Sequence, residues 1–182
     1  MIIVFTGNGK GKTTAALGQM VRVLGRGKNA LMIQFIKGPW KSGEDEFGEI
    51  ISKGNPSASS GSPAFKLVKM GLGFVGILGD KLPREEHEKA ARKALEYFRE
   101  ELKSGTWQLI ELDEVNVATS LGLLKAGEVL DALKDVPEER LVMLTGRGAP
   151  QEFIDRADLA TEMREIKHPF NDKKLAKIMI EF

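Results

Sequence analysis

The chain has 182 residues, 27 Lys and Arg against 26 Asp and Glu, a formal net charge of +1, two His and no Cys. That length favours a single domain over residues 1–182 that can bury a core without staples. The composition excludes a disulfide framework, a Cys-ligated zinc or iron–sulfur site, a Cys nucleophile and a multi-His metal centre. The balanced charge offers no basic tail for nucleic acid and no acidic tail for disorder.

Short apolar runs alternate with helical patterns along the chain. Ile2–Phe5 is predicted as a first strand, apolar throughout as a central parallel strand should be. Lys12–Gly25 reads as a helix with Leu17, Met20, Val21 and Leu24 on its buried stripe, stopped by Gly25 and Gly27. Strands follow at Ala30–Ile36 and Phe65–Met70. Between them Ser52–Pro63, rich in Ser, Gly and Pro, is predicted as a mobile loop. Gly71–Gly79 is apolar and Gly-rich. Pro83–Lys103 is the longest predicted helix, with acids in its first turn and Ala91, Ala94, Leu95, Phe98 and Leu102 on one side. Trp107–Leu112, Leu141–Leu144, Ala160–Ile166 and Lys177–Phe182 are read as further strands, and Gly127–Lys134 and Pro150–Ala157 as helices. This alternation argues for a three-layer α/β fold, a mostly parallel sheet with helices on both faces.

Two motifs carry chemistry. Thr6–Thr14, TGNGKGKTT, follows an apolar strand and opens a helix, the context of a phosphate-binding loop. Gly7, Gly9 and Gly11 let the backbone turn its N–H groups toward phosphate oxygens, and the helix N-terminus adds partial positive charge. Lys12 supplies a point charge, and the Thr13 hydroxyl can hold Mg²⁺. Thr6 stands where the strict pattern has its first Gly, with Gly7 next to it, so the loop is a variant. The second motif, Leu109–Glu114 (LIELDE), is an apolar strand ending in adjacent acids. Asp113 or Glu114 would then lie at the carboxyl edge of a parallel sheet, where ligands bind, and could hold Mg²⁺ or its water shell. Together these predict a nucleoside triphosphate site with a divalent cation. They leave open hydrolysis, phosphoryl transfer or another reaction.

TGNGKGKTTAALG at 6–18, QFIKG at 34–38, Leu112-Asp113-Glu114, TGRG at 145–148 and KHPF at 167–170 occur in that order, and together the set resembles the P-loop type of ATP:corrinoid adenosyltransferase. The resemblance runs from about residue 2 to about residue 170. It implies a P-loop NTPase-like (RecA-like) fold. It implies that a cobalt(I) corrinoid attacks the 5′ carbon of ATP and releases triphosphate. ATP and a cobalamin- or cobinamide-type corrinoid are then substrates, Mg²⁺ (or Mn²⁺) the cofactor, a reduced flavoprotein the electron donor and a homodimer the assembly. Gly7, Asn8, Gly9, Lys10, Gly11, Lys12, Thr13 and Thr14 match triphosphate contacts. Thr13 and Glu114, with Asp113 beside them, match the metal positions. Arg22 matches an Arg near the nucleoside, and Lys37 and Arg147 are further phosphate candidates. Lys12, Glu114 and Arg147 are the expected catalytic residues. Asn116 and Thr119 either line the site or cap a helix, and His168 is expected to be structural. Phe74 matches an aromatic that keeps the lower axial ligand off cobalt, while Gly76 stands where a Trp is often found.

The alternatives are a P-loop ATPase or small-molecule kinase, and a nucleotide-dependent corrinoid-binding module. No apolar run approaches the ~20 residues that span a bilayer, and no signal peptide is visible. A cytoplasmic enzyme is expected, with no membrane partner. One Tyr and two Trp with no basic cluster give no groove for nucleic acid.

Overall fold

The computed structural model describes residues 1–54, 64–77 and 79–169. Its strands are β1 (Ile2–Thr6), β2 (Ala30–Gln34), β3 (Phe65–Lys69), β4 (Leu109–Asp113), β5 (Leu141–Thr145) and β6 (Leu159–Glu162). Its helices are α1 (Lys12–Leu24), α2 (Gly43–Gly54), α3 (Arg84–Lys103), α4 (Val115–Ser120), α5 (Ala126–Leu133) and α6 (Gln151–Arg156). The six strands form one sheet in the order β3-β2-β4-β5-β1-β6, and every pairing is parallel.

The strand sequences explain the layering. β2 and β4 are buried at every position, so both faces need apolar cover. On one face Ile2, Val4, Leu31, Ile33, Ile110 and Leu144 pack against Ala91, Ala94, Leu95 and Phe98 of α3, Val129 and Leu133 of α5, and Phe153 of α6. On the other, Ile3, Met32, Leu109 and Met143 meet Ala16, Met20 and Val23 of α1, with Phe47 of α2 packed alongside. The three-layer α/β reading is the fold observed.

Several details differ from the sequence reading. Strand and helix ends move by one or two residues; Pro83 precedes α3 as its N-cap, and β4 ends on Asp113 itself. The strand expected over Ala160–Ile166 is β6, which starts one residue earlier and stops at Glu162. Helix α2 was not foreseen, and its last turn takes up residues 52–54 of the stretch expected to be a loop. Three acids in its first turn favour the helix dipole, and Phe47 meets the Phe65 ring edge-on at 5.5 Å. The remainder of Ser52–Pro63, and the strand expected at Lys177–Phe182, lie outside the described residues. The buried face of α1 is also rotated from the expected stripe. Ala16, Met20 and Val23 go inward, whereas Val21 is 52% exposed.

Candidate active site

Elements β1, β2, β4 and β5 all end at one edge of the sheet, and the polar residues collect there. The phosphate loop bridges β1 and α1. Gly7 has φ +94, and a Cβ there would lie 2.4 Å from the carbonyl oxygen of Met163, so only Gly fits. The Gly9 amide donates to that same carbonyl at 2.6 Å, and the Met163 amide donates to the Thr6 carbonyl at 2.8 Å. The chain just past β6 thus clasps the loop. Lys12 is buried, and its Nζ donates to the carbonyls of Gly7 (2.9 Å) and Gly9 (2.7 Å). Burial lowers the Lys12 pKa; Glu114 opposes that shift, and Arg147 and Lys10 add to it.

Asp113, the last residue of β4, is fully buried. Its Oδ1 accepts from the hydroxyls of Thr13 and Thr145, each at 2.9 Å. Its Oδ2 accepts from Gln34 Nε2 at 3.1 Å and lies 3.6 Å from Lys37 Nζ. Lys37 also pairs with Glu44 at 3.1 Å. Burial works against the Lys37 charge, but Asp113 and Glu44 outweigh it and raise its pKa.

Glu114 has φ 63 and is the only non-glycine with positive φ among the described residues. This left-handed turn is strained, and it is held by the Glu114 amide donating to Thr145 Oγ1 at 3.1 Å. Burial first, and Asp113 second, push the Glu114 carboxyl up to about 7; Lys12, Lys37 and Arg147 oppose them. The unfolded carboxyl ionises near 4.5, so the folded state binds the extra proton between those two values. Its stabilising contribution is therefore fully present below about 4.5 and is lost as pH rises through about 7. A Glu114→Gln variant of the ligand-free protein should show a flatter fall in melting temperature from pH 5 to 8 than the parent. Equal slopes would contradict this origin.

One cleft of about 1050 Å³ is lined by Gly9, Lys10, Lys12, Thr13, Thr14, Lys37, Phe74, Glu114, Arg147 and His168. The structure therefore gathers most of the expected site residues. Gly7 and Gly11 shape the loop without lining the cleft, exposed Asn8 does not line it, and Asp113 sits beneath Thr13. Arg22 is not brought to it. It lines a separate pocket with Gln19, Arg26 and Lys28, because ten residues of helix past Lys12 carry it about 15 Å along the axis. Asn116 neither lines the cleft nor caps a helix. Its Nδ2 donates to the carbonyls of Phe5 (3.2 Å) and Gly146 (3.1 Å), pinning β1 to the turn after β5. Thr119 bonds back to the Val115 carbonyl at 2.9 Å. His168, expected as structural, is part of the lining. Sequence reasoning missed Gln34 and Thr145 as hydrogen-bond partners of Asp113 alongside Thr13, and Leu17, Val21 and Phe47, which give the cleft an apolar side. One signal was available: α1 carries more apolar residues than one buried face needs.

A family model described as ATP:corrinoid adenosyltransferase BtuR/CobO/CobP matches residues 1–182. The chain belongs to that family. The adenosyltransferase reading therefore stands over the ATPase, kinase and binding-module alternatives. Among similar proteins, the corrinoid adenosyltransferase of Escherichia coli (strain K12) is 34% identical over 182 residues, covering 100% of this chain and 85% of that protein. The corrinoid adenosyltransferase CobA of Salmonella typhimurium (strain LT2) gives the same identity and coverage. A corrinoid adenosyltransferase of Sinorhizobium sp. is 36% identical over 189 residues, covering 100% of this chain and 80% of its own.

In this adenosyltransferase the segment carrying Phe74 is fastened from below. Asp80 Oδ2 accepts from the Gly76 amide at 2.8 Å, Asp80 Oδ1 accepts from the Leu82 amide at 3.0 Å, and Asp80 Oδ2 lies 3.0 Å from Nε2 of buried His87 on α3. A Cβ added at Gly76 would meet nothing within 4 Å. The glycine there serves the turn (φ +68) rather than close packing. Among the described residues no helix is long and apolar enough to cross a membrane.

Proposed function

We propose that this adenosyltransferase brings the lone pair of a cobalt(I) corrinoid to the 5′ carbon of ATP. A cobalt–carbon bond forms and the C5′–O bond breaks. The electron pair of that bond leaves with inorganic triphosphate, and cobalt becomes formally cobalt(III). The observation that carries this reading is that Lys12, Thr13, Glu114, Arg147 and Phe74 line a single cleft, with cationic and apolar walls meeting in it. The cobalt is itself the nucleophile, so the protein needs no Ser, Cys or His nucleophile. Its task is to fix the ribose and stabilise a polyanionic leaving group.

The roles follow from placement. The loop Gly7–Thr14, Lys12 and Arg147 hold the triphosphate. Thr13 and Glu114 offer hard oxygen donors toward it, a set that fits Mg²⁺. Asp113 acts through Thr13, whose hydroxyl it orients from below. Among the described residues no group of three or more His, Cys, Asp or Glu could hold a metal unaided; in this reading phosphate oxygens would complete the donor set. When bound, Mg²⁺ would neutralise charge on the departing triphosphate. Lys37 is held by Glu44 and Asp113 and reaches the cleft wall, close enough to answer added negative charge. Phe74 faces the corrinoid. The remaining parts of the reading are a single domain over residues 1–182, in line with the chain length, a cytoplasmic location, a homodimer and a reduced flavoprotein as electron donor, the last two implied by the family resemblance.

Product identity tests the proposal. With ATP, Mg²⁺, a corrinoid and a strong reductant, triphosphate should accumulate with a light-sensitive cobalt–carbon bond in equal amount. Orthophosphate release at a rate indifferent to corrinoid would overturn it.

A further inference from the structure

The ATP side of the cleft is built from charge, yet the corrinoid must also be held, and its macrocycle is broad and flat. Beside that cleft stands an exposed aromatic pair. Trp40 lies in the connection between β2 and α2 and is 61% exposed; Phe74 lies past β3 and is 48% exposed. Their ring centroids are 6.0 Å apart, with planes inclined at 35°. Phe74 and Lys41, the residue after Trp40, both line the cleft that holds Lys12 and Thr13.

Trp40 is not sealing the core, since most of its surface faces solvent. It is nonetheless held in place. A Cβ at Gly38 would come within 2.6 Å of the indole, and one at Gly73 within 2.8 Å, so two glycines from different segments form its seat. The Trp40 carbonyl accepts from Lys69 Nζ, which also pairs with Asp45 at 2.6 Å. Leu72 and Ile77 are exposed on the same segment as Phe74. A large aromatic side chain fixed at its backbone, flanked by glycines and left open to water is a surface awaiting a flat apolar ligand.

We propose that Trp40 is a substrate-binding residue for the corrinoid, forming with Phe74 a two-ring platform that holds the macrocycle against the ATP cleft. This rests on the adenosyl-transfer reading above. The platform joins the QFIKG connection to the GLGFVGILG segment, and Trp40 supplies from a distant position the second ring that Gly76 does not.

The test uses the full chain, its Trp40→Ala and Trp40→Phe variants, and cobalamin. Adenosyl transfer from preformed cob(I)alamin gives separate KM values for cobalamin and ATP, and equilibrium dialysis of cob(II)alamin gives binding without turnover. Trp40→Ala should raise the cobalamin KM and Kd about tenfold or more, while the ATP KM changes less than about twofold. Trp40→Phe should recover most of the loss. Unchanged cobalamin binding in Trp40→Ala, or an equal rise in both KM values, would overturn the proposal. A parent chain making no adenosylcobalamin would sink the reaction assignment instead, and the dialysis arm would still decide the platform.

Discussion

Lys12→Met should lower kcat/KM for adenosyl transfer by about 10²–10³, the loss found when one preorganised donor to a developing oxyanion is removed. Met keeps the length and bulk of the side chain, so the change isolates the charge. Before any ligand arrives, the ammonium is already out of water and bonded to the carbonyls of Gly7 and Gly9. Its desolvation and orientation are therefore settled by folding, and little reorganisation remains when a phosphate enters. Burial has lowered its pKa, and phosphate charge would shift that pKa back upward. Steady-state kinetics with ATP varied, alongside a melting curve, separates loss of function from loss of fold. A fall of less than about tenfold with an unchanged melting curve would mean that the phosphate loop does not grip the leaving group.

The second large effect concerns stability. Glu111 lies in the middle of β4, in register with Met32 and Met143, and is fully buried. Neither carboxyl oxygen has a hydrogen-bond partner. Burial, and then Asp113 nearby, hold its pKa well above the ordinary 4.5. In the unfolded chain the group ionises near that value, and in the folded chain it stays protonated to much higher pH. The folded state is thus penalised increasingly as pH rises, by up to about 1.4 kcal/mol per pH unit. Glu111→Met conserves volume and matches its methionine neighbours. It should stabilise the protein by about 1–3 kcal/mol at pH 7.5, the usual cost of an unsatisfied buried polar group, and raise the melting temperature by roughly 2–4 °C for each kcal/mol. The gain should shrink as the pH falls toward about 4.5 and below, where the wild-type carboxyl is protonated in both states. A lower melting temperature at pH 7.5, or a gain independent of pH, would contradict this account.

The sheet and the phosphate loop were legible because their signals are local: apolar runs of strand length, and a glycine-rich turn between strand and helix. Asp113 and Glu114 stood out as charges ending an apolar run. What escaped depends on contacts between distant segments. Helix α2 contains three glycines in twelve residues, so its propensity is poor, and packing on Phe65 offsets that weakness. α1 presents two interleaved apolar stripes, and periodicity alone does not say which faces the sheet. Arg22 was placed by resemblance, whereas the rise of the helix puts it near the opposite end. Trp40 has no periodic partner, and only its meeting with Phe74 gives it meaning.

The sheet order has a further consequence, for the way the molecule comes together. Among the described residues β1 pairs with β5 and β6 and with no other strand. The Ile2 amide is taken by Asp158 at 2.6 Å, and the Met1 amino group by the Arg140 carbonyl at 2.7 Å. Strand β1 must therefore wait for residues 141–162 before it gains a strand partner. Contacts of such long sequence separation slow folding, and the nucleotide-binding loop is among the last parts to be fixed. A nascent chain that stops before residue 141 has every motif residue through Glu114 and still lacks the strands that hold β1 in the sheet. The strands at residues 141–162 must be in place before β1 can carry its nucleotide loop to the sheet edge.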